Sequence, residues 1–193
     1  TEGEFDFLFI NSWVVSFDLV IRVKQSHPSI RVCQRVDGSG RDYGRLDDSD
    51  NRQARVNLLA DLTVFQSEYS KYSTTGKFKV ISQDGPVIHN PVDIETFCPK
   101  GRRLQIGGKV RVCNASFSTN LKKGTWRIGM LAKKNPDVNF ILCGNYPELP
   151  DLPNILRLGH LDRIELAAAM RSCDLFLYLA ENESCPNVVL EAL

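Results

Sequence analysis

DVNFILCGNYPELPDLPNILRLGHLDRIELAAAMRSCDLFLYLAENESCPNVVLEAL, residues 137–193, is the stretch whose reading decides the fold. VNFILCG and DLFLYLA are short apolar runs and read as strands, NILRLGHL as a shorter one, and DRIELAAAMRSC has helical spacing. NVVLEAL begins a further helix. Strands alternating with helices of this length imply a parallel sheet covered on both faces. The pattern extends upstream. KVRVCNAS, residues 109–116, reads as a strand. LKKGTWRIGMLAKKN, residues 121–135, has helical spacing through Trp126, Met130 and Leu131.

The earlier part of the chain is less regular. FDFLFI (5–10), IRVCQRV (30–36) and LTVF (62–65) read as strands, and PVIHNPVDIETFCP (86–99) holds a brief one. SWVVSFDLVIRVKQSH reads as helix, although its β-branched residues weaken the signal. Asp37-Gly38-Ser39-Gly40 is a turn rich in residues that tolerate positive φ. Asp48 or Ser49 caps a helix through DNRQARVNLLAD, with Ala54, Leu58 and Leu59 on one face. SEYSKYSTT reads as a short helix. The basic cluster Lys100-Gly101-Arg102-Arg103 and the pair Gly107-Gly108 look like a linker, so the chain divides into residues 1–100 and 101–193. The last helix carries no stop signal and the chain opens on Thr1, which marks a fragment truncated at both ends, with both domains incomplete.

Composition sets bounds. The chain has 193 residues, 42% of them hydrophobic and 24% charged, which is ordinary for a globular protein. Its formal net charge of +1 provides no field for nucleic acid. The six cysteines form no CxxC pair, so zinc and redox spacings are absent. Cys33, Cys113 and Cys143 lie in apolar runs and read as reduced core residues of an intracellular protein. No run approaches the ~20 apolar residues of a membrane span.

The chemistry concentrates at the end of the chain. Glu181–Pro186 connects the carboxyl end of a strand to a helix, the place where open α/β sheets bind ligands. Pro186 suits a first helical turn, and the amides of Asn187, Val188 and Val189 would form an anion site. Glu191 lies a turn deeper and can accept hydrogen bonds from a pair of hydroxyls; Glu183, in the loop, can grip a second polyol. Spacing alone leaves open the plainer reading of a solvated helix glutamate and a loop charge.

Glu183-Ser-Cys-Pro-Asn-Val-Val-Leu-Glu191-Ala resembles the E-x7-E motif of glycosyltransferase family 4, retaining enzymes of the two-domain GT-B fold. Other segments agree in family order: QRVDGSG, ADLTVFQSEYS, VIHNPVDIETFCP, VCNASFSTNLKKG and RLGHLDRIELAAAMRSCDLFLYLA. The resemblance implies an α/β protein of GT-B type with two Rossmann-like doubly wound domains. Residues 1–100 would be the acceptor side and 101–193 the nucleotide-sugar side. It implies that a sugar passes from a UDP- or GDP-sugar to an acceptor hydroxyl with retention of configuration. The acceptor would be a carbohydrate or a glycolipid, and the product a polysaccharide, a glycolipid or a small metabolite.

The same resemblance assigns residues. Lys123, in the Lys-Gly pair, meets the donor diphosphate, with Lys122 its close neighbour. Ser116 and Ser118 stand in a loop where the family often has a basic residue. Leu158 and Gly159, beside His160, border the nucleobase. Glu183 holds the transferred sugar, and Asn187, Val188 and Glu191 complete the donor contacts. On the acceptor side the family often has a histidine where this chain has Gln34. Arg35 and Asp37 remain as active-site groups, with a salt-bridged turn as their plainer reading, and Asn11 lies nearby. No metal and no cofactor are expected, because lysine and helix amides stabilise the departing diphosphate. The protein is expected in the cytoplasm, and whether the full-length protein docks peripherally on the inner face of a membrane stays open. Two other readings stay open: a nucleotide-sugar-binding fragment without turnover, and an unrelated doubly wound interaction domain.

Overall fold

The computed structural model describes residues 5–193. The chain divides into two compact units, one comprising residues up to Asn90 with Asn182–Cys185, the other Pro91–Glu181 with Pro186–Leu193. The division falls upstream of the basic linker because Pro91–Gly101 belongs to the second unit's packing. Arg171 Nη1 donates to the Thr96 carbonyl at 2.9 Å, and Phe97 packs against that unit's core.

The first unit holds β1 (Phe7–Asn11), α1 (Phe17–Ser26), β2 (Arg31–Val36), α2 (Ser49–Asn57) and β3 (Leu62–Phe65). The strands form a parallel sheet in the order β1-β2-β3. α1 forms despite its β-branched residues because Ser16 caps it, accepting from the Leu19 N–H at 3.3 Å, and because it buries Val20 against Ile10, Ile30, Val32 and Val56. α2 departs from the expected apolar face. Leu58 is exposed, although Leu59 packs against the core, and the residues that α2 buries are Ser49, Asp50, Gln53, Val56 and Asn57. The reason lies in β2. Gln34 is fully buried there, and a buried amide must be hydrogen-bonded. Its Nε2 donates to the carbonyls of Ser12 and Gln53, both at 3.1 Å, and its Oε1 accepts from Asn57 Nδ2 at 2.8 Å. Asp48 occupies the cap position of α2 without accepting from a helix N–H; its carboxylate accepts from Asn51 Nδ2 at 2.8 Å, and Asp47 accepts from the Ser49 N–H at 3.0 Å. The short helix after β3 is α3 (Glu68–Lys71), which continues as a π-helical turn over Tyr72–Lys77.

The second unit holds β4 (Val110–Ser116), α4 (Arg127–Lys134), β5 (Val138–Gly144), β6 (Ile155–Gly159), α5 (Arg163–Arg171), β7 (Leu175–Phe176) and α6 (Asn187–Ala192). Its sheet is parallel in the order β6-β5-β4-β7. Alternate residues of β4 and β5 feed two cores. Val112, Phe140 and Leu142 pack with Ile128 and Ala132 of α4; Cys113, Ala115, Ile141 and Cys143 pack with Leu166 and Ala169 of α5. This is a doubly wound sheet. α4 turns Ile128, Gly129 and Ala132 inward, while Trp126 and Met130, read from spacing as its apolar stripe, are exposed. α5 begins in a capping box between Asp162 and Glu165.

DLFLYLA pairs over a shorter length than its composition suggests. Beyond Phe176 the Leu177 N–H still reaches the Cys113 carbonyl at 2.8 Å. After that, side chains take the backbone acceptors: Asn114 Nδ2 donates to Leu177 O at 2.6 Å and Arg127 Nη1 to Leu179 O at 3.3 Å. All six cysteines are free. Among the described residues, no helix is long and apolar enough to cross a membrane.

Candidate functional site

In the second unit the chain runs from β4 outward through β5 to β6, then returns to place β7 on the other side of β4. The reversal leaves a switch point between the carboxyl ends of β4 and β7, where open α/β sheets bind ligands. Three loops border it. After β4, Ser116 Oγ donates to the Ser118 carbonyl at 3.2 Å, and Ser118 Oγ accepts from the Asn120 N–H at 3.2 Å. Both hydroxyls therefore shape the loop. Asn120 Oδ1 then accepts from the Lys122 N–H at 3.0 Å and starts a 3₁₀ turn, Leu121–Lys123, that presents the two lysines.

Gly124 closes this turn with φ 67°, in the left-handed region, and its amide donates to the Leu121 carbonyl at 3.0 Å. A Cβ here would lie 3.0 Å from the carbonyl carbon and the Cβ of Leu179, and closer still to the carbonyl oxygen. The Lys-Gly pair is thus pressed against the segment that leaves β7. The Glu181 N–H donates to the Lys122 carbonyl at 2.9 Å, and Arg127 Nη2 donates to Glu181 Oε1 at 2.5 Å. Arg127 and Glu181 were not anticipated from the sequence. They lie far apart in the chain, and the one local mark is a cation at the start of α4.

At the end of β6, Gly159 has φ 70°, and a Cβ there would meet nothing within 4 Å. Its conformation thus opens space. Leu158 packs against the α5-side core. His160 is exposed in the loop that follows, with its ring 4.5 Å from that of the exposed Phe117. A hollow lined by Gln105, Asn139 and Leu156, among others, lies at the opposite, amino-terminal ends of β5 and β6 and includes none of these residues.

α6 corrects two details. Pro186 is the cap rather than the first helical residue, and the Val189 N–H is already used, donating to the Pro186 carbonyl at 3.0 Å. The Val189 amide is therefore turned into the helix. The Val188 side chain packs on the α5-side core and fixes the helix there. Glu191 is mostly buried, with Oε1 4.0 Å from Arg163 Nη2. Burial pushes its carboxyl up from the ordinary glutamate value, and Arg163 pulls it part of the way back.

Arg35, Asp37 and Glu183 fall in the first unit. Arg35, next to last in β2, binds Asn11 Oδ1 at 2.8 Å and Gln66 Oε1 at 2.8 Å, and also the Asp37 carboxylate and Asn90 Oδ1. One guanidinium thus joins the carboxyl ends of all three strands to the segment ending at Asn90, which extends the salt-bridged-turn reading into a larger network. Asn90 Nδ2 donates to the Cys185 carbonyl at 3.3 Å, and the Tyr43 hydroxyl meets Ser184 Oγ at 3.3 Å. Glu183 directly precedes these two anchored residues. Burial pushes the Tyr43 phenol up, a Ser184 hydrogen bond opposes this, and the charges of Glu183 and Asp37 add to it. Gln34, at the position the family gives to histidine, is buried in the core on the α2 side, as described above. Among the described residues, no cluster of three or more His, Cys, Asp or Glu is arranged to hold a metal ion.

No protein-family model matches the chain, and no curated protein sequence is significantly similar to it. Solved structures are similar in fold. Sucrose-phosphate synthase from Thermosynechococcus elongatus superposes with a TM-score of 0.75 at 13% identity, over 97% of this chain and 53% of that one. HepE from Anabaena, in complex with UDP, gives 0.68 at 17% identity, over 97% and 57%. TarM from S. aureus, in a complex that includes UDP, gives 0.57 at 12% identity, over 86% and 35%.

The fold is of the GT-B type.

At these identities the likeness concerns the fold. The chain spans about half the length of the first two structures, 53% and 57%.

Proposed function

We propose that this chain carries most of the donor site of a retaining glycosyltransferase of family 4, which moves a sugar from a UDP- or GDP-sugar to a carbohydrate or glycolipid hydroxyl. The observation that carries the proposal is the switch-point edge of the second unit. There the Lys122-Lys123-Gly124 turn is packed against the segment leaving β7, while Gly159 opens space at the end of β6. The complexes of HepE with UDP, with UDP and glucose, and with UDP-glucose support the choice of ligand class.

In this reading the bond from the anomeric carbon to the diphosphate oxygen breaks, and the electron pair leaves with the nucleotide. Lys123 stabilises the charge that develops on the diphosphate, and the Asn187 and Val188 amides add partial positive charge. Glu191 accepts from the ribose hydroxyls; its partial burial strengthens bonds to hydroxyls, because less water competes. Gly159 and Leu158 border the base through their backbone, and Ser116 and Ser118 shape the phosphate loop. Glu183 accepts from the hydroxyls of the sugar. Arg35 holds Asp37 and Asn90 in place rather than touching the acceptor, since its guanidinium is already engaged four times. The acceptor hydroxyl attacks the anomeric carbon from the face that the diphosphate leaves and passes its proton to the departing diphosphate oxygen, which retains configuration. We further propose that the transfer needs no metal, so that chelation leaves it unchanged, and that the whole protein is cytoplasmic and works at the inner face of a membrane.

Calorimetric titration with UDP, GDP and their sugars tests the reading. Saturable binding of one nucleotide diphosphate is expected. Lys123→Ala removes a charged hydrogen-bond donor and should weaken binding by roughly 10- to 150-fold. A labelled donor then distinguishes transfer from binding alone. Absence of nucleotide binding, or equal binding by Lys123→Ala, would overturn the assignment.

A further inference from the structure

Arg127 is a cation in an unfavourable place. It opens α4, where the positive end of the helix dipole repels a guanidinium. It is held there by Leu179 O at 3.3 Å and Glu181 Oε1 at 2.5 Å. Arg127 in turn holds the Glu181 carboxyl below its ordinary range. The pair remains water-accessible, with Arg127 35% and Glu181 53% exposed, so it contributes little to the stability of the unit. Its consequence is geometric. Glu181, once held, donates its N–H to Lys122 O at 2.9 Å, and Leu179, once held, forms the surface against which Gly124 packs. Four contacts therefore lace residues 122–127 to residues 179–181, across the switch point.

We propose that Arg127 and Glu181 form a latch that positions the Lys122-Lys123 turn for the diphosphate of the ligand. This inference rests on the nucleotide-sugar reading of the site. Arg127 is a positioning residue: it acts on the diphosphate through the turn it holds.

The test compares the wild-type chain with Arg127→Ala, Glu181→Ala and the exchanged pair Arg127→Glu/Glu181→Arg. Affinities for UDP and for uridine are measured by calorimetry, and amide hydrogen exchange is followed at Gly124 and Glu181. Each single variant should lose roughly fivefold to tenfold in UDP affinity and keep its uridine affinity, with the midpoint of unfolding lowered by no more than about 4 °C. The Glu181 amide should exchange faster in Arg127→Ala, and the exchanged pair should recover most of the loss. Equal losses for UDP and uridine would make the pair merely structural and overturn the proposal. A loss in Arg127→Ala without faster exchange, or one that the exchanged pair fails to repair, would place Arg127 on the diphosphate itself and equally overturn it. Failure of the wild type to bind UDP or GDP would refute the underlying reading, and the latch with it; that outcome is recognised before any variant is compared.

Discussion

Gly124 and Gly159 offer a controlled experiment inside one unit. Their φ angles, 67° and 70°, are nearly the same, so an alanine at either position meets the same backbone penalty. That penalty is about 1–2 kcal/mol for a residue with a Cβ in the left-handed region. The surroundings differ. The new Cβ at 124 would press on the Leu179 backbone, which cannot swing aside as a side-chain tip can, whereas at 159 it would meet nothing within 4 Å. Overpacking of this kind costs about 1–3 kcal/mol more. Gly124→Ala should therefore lose about 2–5 kcal/mol and Gly159→Ala about 1–2 kcal/mol. At about 2–4 °C per kcal/mol for a chain of this size, the two melting temperatures should separate by roughly 2–12 °C. Binding should not follow stability. Gly159→Ala places a methyl group in the space assigned to the base and should weaken UDP binding while remaining folded. Differential scanning calorimetry with and without UDP supplies both readouts. Equal destabilisation by the two alanines would refute the claim that the Lys-Gly turn is pressed on the segment that leaves β7.

Two further outcomes are expected. Glu191 is a carboxyl raised by burial, so its folded form holds a proton more tightly than its unfolded form, and the stability it costs appears as pH rises through the carboxylate range. Glu191→Gln should match the wild type in acid, where both are neutral, and equal or exceed it at neutral pH, while losing roughly 10- to 150-fold in nucleotide affinity with the charged acceptor; a less stable variant at neutral pH would show that the Arg163 pair outweighs burial. In the first unit, Arg35→Ala strands the Asp37 carboxylate and three amides, and should cost about 2–4 kcal/mol, somewhat below a fully buried pair because Arg35 is 20% exposed. Arg35→Lys should restore little, since one ammonium cannot reach acceptors on four segments, and full recovery of the melting temperature with lysine would contradict the hub.

The alternation of strands and helices was legible because its signal is local. β2, β3, β4 and β5 fall close to the apolar runs that announce them. Helix faces were harder to read. In α2 the inward face is polar because β2 places Gln34 in the core, and the partners of a buried amide are set by tertiary contact rather than by period. In α4 Trp126 and Met130 look like core by size, yet the helix turns Ile128 and Ala132 onto Val112, Phe140 and Leu142 and lays Gly129 against Leu149 and Pro150. The extent of β7 depends on Asn114 and Arg127, which remove its acceptors from the ladder. Among site residues, the lysine turn could be located from its Lys-Gly signature. Arg127, Glu181, Gln66, Asn90 and Tyr43 carried no comparable mark; for Arg127 the only hint was a cation at a helix start.

The placement of Glu191 joins these observations into one argument about stability and binding. Val188, three residues earlier, is anchored in the core with Cys113, Ile141 and Leu166, so α6 cannot roll to carry Glu191 into water. The result is a carboxylate that is partly desolvated and only loosely matched by Arg163 at 4.0 Å. Folding alone gains nothing from that arrangement, since an exposed glutamate or a glutamine would be at least as stable. A ligand that brings two hydroxyl donors gains from it, because it meets an acceptor already stripped of part of its water and fixed in direction. Added nucleotide should therefore raise the melting temperature of the wild type more than that of Glu191→Gln, even though the variant starts from equal or greater stability. If nucleotide stabilises both proteins equally, the burial of Glu191 has no part in binding, and the ribose contact must be assigned elsewhere.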